Sequence, residues 1–157
     1  MNLKKFSDYS ALSQHTAEYI ASIITKKPDA LLCLASGDTP IETYHRFVAL
    51  AEAGKVDISR CTFVGLDEWV GFGPEDAGSC SYYVYRDLFK PLNLRPDQIH
   101  VFNAKADDLA SECKRIDAVI RSKGGLDLLL VGMGMNGHIA LNEPGTPFNL
   151  GCHVVEL

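Results

Sequence analysis

Three short apolar runs constrain this chain most: Ala30–Leu34 (ALLCL), Cys61–Leu66 (CTFVGL) and Leu126–Val131 (LDLLLV). Each is shorter than an ordinary helix and lacks the alternation of a half-exposed strand. Each therefore reads as a strand buried on both faces, the signature of a parallel sheet. Helical patterns separate them. Tyr9, Leu12, Thr16, Tyr19, Ile20, Ile23 and Ile24 recur at helical spacing, and Lys26, Lys27 and Pro28 close that helix. Tyr44, Phe47, Val48 and Ala51 mark a second helix ended by Gly54. Pro40 suits its first position, with Asp38 or Thr39 as its cap. Tyr82, Tyr85, Leu88 and Phe89 mark a third, capped by Ser79 or Ser81 and stopped by Pro91. Leu109, Cys113, Ile116 and Ile120 stripe a fourth, ended by Gly124-Gly125, and Gln98–Phe102 is a weaker strand. The order α-β-α-β-α-β-α-β predicts a three-layer α/β/α fold with an open, mostly parallel, Rossmann-like sheet. No repeat or linker divides residues 1–157, so one domain is expected.

Ligands of such sheets bind beyond the carboxyl ends of the strands. Composition narrows what they are. The chain has a formal charge of −5 and no basic stripe, which argues against nucleic acid. No apolar run reaches the ~18 residues of a membrane span, and Met1–Lys5 is polar, so neither a membrane partner nor a secretory leader is expected. Five scattered cysteines without a CxxC pair fit neither a disulfide framework nor a zinc site. Cys33 and Cys61 read as small core hydrophobes. His15, His45, His100 and His153 read as surface or packing residues. These features predict a cytoplasmic domain with a small-molecule or protein partner.

Three loops follow the three strong strands. Ser36-Gly37-Asp38-Thr39-Pro40 carries hydroxyls and free N–H groups at a strand-to-helix turn. That suits either an anion or an ordinary capped turn, and the Asp38 carboxylate opposes an anion unless it points away. Asp67-Glu68-Trp69 puts two carboxylates at a strand end, a place for a general base. Neighbours on extended chain point to opposite sides, so at most one of the pair faces a pocket and Glu68 is the candidate for a structural role. In the third loop Gly132, Gly134 and Gly137 spell G-x-G-x-x-G, with Glu156 near the offset of a dinucleotide site's acidic residue. Pro144, Gly145 and Pro147 deny that motif its helix. The glycines read instead as places where backbone approaches a small anionic ligand. His138 and Glu143 share this loop as a proton-transfer group and its partner.

The segments LASGDTP (34–40), LDEWVG (66–71) and GMGMNGHIALNEPG (132–145) resemble the glucosamine-6-phosphate deaminase/isomerase family, within the larger group that also holds 6-phosphogluconolactonases. The resemblance spans roughly residues 10–157. The lactonase branch lacks the Asn142–Pro144 ending, and several segments look closer to a galactosamine-6-phosphate deaminase/isomerase branch. The resemblance implies that Asp67 moves a proton between C2 and C1 of the open-chain sugar. It implies that His138 transfers the ring-opening proton, supported by Asn136 and Glu143. It also implies that Ser36, Gly37, Asp38 and Thr39 contact the phosphate, although Asp38 departs from the family's usual Gly-Gly-Thr-Pro or Gly-Ser-Thr-Pro.

The implied activity converts glucosamine 6-phosphate or galactosamine 6-phosphate to a ketose 6-phosphate and ammonia, without metal or redox cofactor. Lactone hydrolysis and a non-catalytic sugar-phosphate-binding domain are the alternatives. A homo-oligomer is compatible with the resemblance. Family members run about half again as long, so the chain is expected to lack the C-terminal part of the family fold, stopping just after a strand at Cys152–Leu157 and leaving an unpaired sheet edge.

Overall fold

The computed structural model describes residues 2–156. Four parallel strands form one sheet in the order β3-β2-β1-β4: β1 (Leu31–Leu34), β2 (Thr62–Gly65), β3 (Ile99–His100) and β4 (Leu128–Leu130). β1 lies between β2 and β4, with Cys33 beside Val64 on one side and Leu129 on the other. β1 and β2 are buried along their whole length, as their apolar runs predict. Alternate residues serve opposite faces. Leu32, Leu34 and Phe63 pack with α1 (Tyr9–Lys26), α2 (Ile41–Glu52) and the chain around α3 (Cys80–Val84). Leu31 and Val64 pack on the other face with Ile116 of α4 (Leu109–Ser122).

The main core is therefore on one side, where Ala17, Ile20 and Ile24 of α1 meet Tyr44, Phe47 and Val48 of α2. Asp8 caps α1 by accepting from Ala11 N–H at 2.8 Å. Asp127 ties β4 to the start of β1, accepting from Leu31 N–H and Lys27 Nζ, each at 2.9 Å. No helix among the described residues is long and apolar enough to cross a membrane.

Four local expectations are corrected. Pro40 is the residue before α2 rather than its first, and neither Asp38 nor Thr39 caps that helix through its side chain. The stripe Tyr82–Phe89 is not one regular helix: α3 passes into a π-helical turn at Tyr85–Phe89, closed by Lys90 N–H to Tyr85 O at 3.0 Å. This turn carries the buried Asp87, which Arg86 grips through two 2.7 Å hydrogen bonds.

β4 is an edge strand and not a doubly buried one. Leu129 is 47% exposed at the edge of the sheet, where it lines a cavity beside Ile116 and Ile120 of α4. Finally, Cys152–Glu156 pairs with no strand, and Leu157 lies outside the described residues. A strand needs a neighbour for its ladder, and residues 152–155 line the α4-side cavity instead.

Between Ser79 and Ser81, the structure selects Ser79 as the cap of α3. Its wholly buried hydroxyl accepts from Tyr82 N–H at 2.9 Å and donates to Gly73 O at 2.7 Å. Ser79→Ala removes both bonds, so a loss of about 1–3 kcal/mol is expected. Urea denaturation reads this directly, and an unchanged midpoint would show that water replaces the hydroxyl.

Candidate active site

Because β2, β1 and β4 are neighbours, the three predicted loops leave the sheet side by side at its carboxyl edge. The chain order places helix α2 on one face and α4 on the other. The crevice therefore opens at β1, where the connections part in opposite directions.

In the first loop Gly37 has φ +91°, a left-handed turn that a side chain would strain. Ser36 and Gly37 are half-buried, while Asp38 and Thr39 are exposed. Two tyrosines anchor the loop. The buried Tyr44 hydroxyl donates to Ala35 O. The Tyr9 hydroxyl donates to Thr39 O at 2.7 Å and accepts from Glu42 N–H at 3.3 Å. Tyr9 thus does from α1 what a side-chain cap would do for α2. Its spacing marks it only as part of a helix face, so this role was invisible in the sequence.

In the second loop both carboxylates are half-buried but differ in company. Burial holds the Asp67 pKa above the usual carboxylate range. The nearby Cys80 thiol opposes this, while the Glu68 charge adds to it. Glu68 accepts from the N–H groups of Trp69 and Cys80 at 2.9 Å and of Ser81 at 2.8 Å, and from the Ser81 hydroxyl. Both residues line one cavity, against the expectation that at most one of the pair faces a pocket, and they differ in that Glu68 is saturated there by donors from protein.

The third loop forms no helix after its glycines. Gly134 N–H donates to His138 O, and Gly137 N–H to Gly134 O, each at 2.9 Å, with Gly137 at φ +90°. Ile139 and Asn142 then bridge in antiparallel fashion around Ala140, itself at φ 55°. The pyrophosphate-binding helix of a dinucleotide site is absent from this segment.

Asn136 organises the turn. Its side-chain oxygen accepts from His138 N–H at 3.1 Å, and its amide donates to Glu143 Oε2 at 2.6 Å. The other Glu143 oxygen lies 3.5 Å from His138 Nδ1, which is buried and has no aligned hydrogen bond. Gly134 is needed here for the imidazole, since a Cβ at that position would run into the His138 ring. The expectation that this glycine serves ligand approach is replaced by that packing. Gly134→Ala should swing the ring away from Glu143. A crystal structure of the variant with the ring unmoved would refute the steric reason.

A cavity of about 930 Å³ joins two of the loops. Val64, Ile116 and Leu129 contribute to its apolar floor, and Asp67 and Glu143 both line it. Ser36 meets Asp67 elsewhere, in a small cavity shared with Cys80 and Val101. Gly37, Asp38 and Thr39 line neither cavity. Among the described residues no cluster of His, Cys, Asp and Glu has the arrangement of a metal site.

Residues 7–147 match the family model described as glucosamine-6-phosphate isomerases/6-phosphogluconolactonase. A glucosamine-6-phosphate deaminase from Bacillus pumilus is 43% identical over the whole chain, which covers 65% of that protein. One from Bacillus subtilis is 38% identical with the same coverage. The chain thus spans less than two thirds of the length of these relatives.

Among solved structures, a monomeric glucosamine-6-phosphate deaminase of the NagB superfamily superposes with a TM-score of 0.94 at 38% identity. That match covers 100% of this chain and 65% of the other. The 6-phosphogluconolactonase of Plasmodium vivax, at 23% identity and a TM-score of 0.74, covers 87% of this chain and 49% of its own, and shares the fold. With the three loops in their places on the shared sheet, the chain belongs to the glucosamine-6-phosphate isomerase/6-phosphogluconolactonase family.

Proposed function

We propose that this chain carries the catalytic loops of an amino-sugar-phosphate deaminase/isomerase, acting on glucosamine 6-phosphate or galactosamine 6-phosphate. One observation carries the reading: Asp67 and Glu143 line the same cavity, and Glu143 in turn contacts Asn136 at 2.6 Å and His138 Nδ1 at 3.5 Å, two residues that are not themselves in the lining. A cyclic amino sugar needs two separate proton movements, and these are two separate proton-handling groups.

His138 gives a proton to the ring oxygen and takes one from the C1 hydroxyl, so the C1–O5 bond breaks and an aldehyde forms. Glu143 and Asn136 hold the imidazole for that exchange. Asp67 then removes the C2 proton and returns it to C1. The C1 oxygen gains a proton as the amino group gives one up, so the C1=O double bond is replaced by C2=N; water adds at C2 and ammonia leaves, giving the ketose 6-phosphate. Each proton removed is returned, so the sum is amino sugar phosphate plus water to ketose phosphate plus ammonia.

The raised pKa of Asp67 suits its part, because a carboxylate poorly solvated as an anion is a stronger base. Ser36, Gly37 and Thr39 offer hydroxyl and N–H donors to the phosphate, and Asp38 lies exposed at the rim. The Asn136–Glu143 contact belongs to the segment that ends in Asn142–Pro144, and it favours deamination over lactone hydrolysis. We also propose that residues 1–157 act as one sugar-phosphate isomerase-type domain, in the cytoplasm.

Ammonia release from each amino sugar phosphate is the test. Release supports the reading and identifies the epimer. Turnover of 6-phosphogluconolactone without ammonia release would replace the reading with hydrolysis, and binding without either would make the chain a sugar-phosphate-binding module.

A further inference from the structure

Glu68 is the most heavily used carboxylate near the site, and the reaction above gives it nothing to do. Its partners lie on two elements that are distant in sequence. Trp69 is on its own loop, while Cys80 and Ser81 form the first turn of α3, where helix N–H groups have no partner within the helix. Between them the chain makes an excursion over Val70–Gly78. Left-handed turns at Gly71 and Gly78 bend this segment, and the Asp76–Lys105 ion pair at 2.5 Å pins it. Glu68 closes the excursion at its base. The closure brings Cys80 to one small cavity that it lines together with Asp67, Ser36, Leu34, Gly65 and Val101.

We propose that Glu68 is a positioning residue for Asp67: by gripping the first turn of α3 it seats the Cys80 thiol between Asp67 and Ser36, and so holds the base in register with the anion loop. This rests on Asp67 being the base. A thiol is a weak donor, but a buried one keeps its proton. Burial pushes the Cys80 pKa up to about 12, so the thiol keeps its proton at neutral pH. The titratable groups around Asp67 are Glu68 on its own loop, Cys80 on α3 and Cys33 on β1. None of them is cationic, so the thiol is the group that opposes the effect of burial.

The experiment follows the Asp67 carboxyl carbon by NMR through a pH titration, which needs no turnover. Cys80→Ala should move its midpoint up by about 0.5–1 pH unit, and Cys80→Ser, which keeps a donor, should restore it. Glu68→Asp keeps the charge but is one methylene too short to reach α3, so it should produce the same upward shift. In the double variant with Cys80→Ala the shifts should not add. Where ammonia release is measured, the acid limb of kcat/KM should move with the midpoint.

Midpoints that stay put in both Cys80→Ala and Glu68→Asp, in proteins with unchanged circular dichroism, would overturn the proposal. If Glu68→Asp does not fold, the Cys80→Ala and Cys80→Ser pair decides alone. Failure of the underlying reading looks different: Asp67→Asn would retain turnover while the midpoints still moved.

Discussion

Asp67→Asn is expected to lower ammonia release by at least about 10²-fold. The amide keeps the shape of the side chain and removes its basicity at the carboxyl end of β2, where the cavity wall holds it. The raised pKa sets the pH profile. The base works only as an anion, so activity should fall as the solution becomes more acidic through the folded-state pKa. That pKa lies above the ~3.9 of a free aspartate.

Stability should respond with the opposite sign. A carboxyl whose pKa is raised by folding favours the native state when protonated, and that advantage is lost as pH rises through the folded pKa. At pH 7 the neutral asparagine escapes that cost, so the variant should be at least as stable as the parent protein. Below pH 4 the difference should vanish. An Asp67→Asn protein with near-normal turnover would remove this residue from the mechanism.

His138→Gln should be comparably damaging on the closed-ring sugar, with a fall of about 10²-fold or more, and should leave binding of an open-chain polyol phosphate almost unchanged. The imidazole rests on Gly134, with Nδ1 3.5 Å from Glu143 and the Asn136 amide bonded to the same carboxylate. An imidazole can both give and take a proton, which glutamine cannot do. An analogue already open has no ring oxygen to protonate and so bypasses this residue. Comparison of the analogue's Kd with turnover of the cyclic substrate separates the roles. Equal losses in both would make His138 a binding or structural residue and leave ring opening without its proton donor.

The sequence by itself determined the layered α/β architecture, because burial on both faces of a parallel sheet demands continuous apolar runs such as Leu31–Leu34 and Thr62–Gly65. It also located the three loops, since strand-end chemistry is local: Asp67, His138 and Glu143 stand out by residue type within a few positions of an apolar run. It misjudged β4, because the exposure of Leu129 depends on its place at the edge of the sheet, and that is a matter of tertiary packing. It missed the π-helical turn at Tyr85–Phe89, which places the paired Asp87 in a buried position that a side-chain stripe does not reveal. Glu68 was legible as the structural member of its pair, but the N–H groups that claim it lie 12 and 13 residues away and meet it only once α3 is folded back. Tyr9 reaches Thr39 across 30 residues, and Gly134 is required by an imidazole that only the closed turn lays upon it. Residue type and period record which surfaces are apolar and which groups are reactive. Which donor meets which acceptor is decided by long-range closure of the chain.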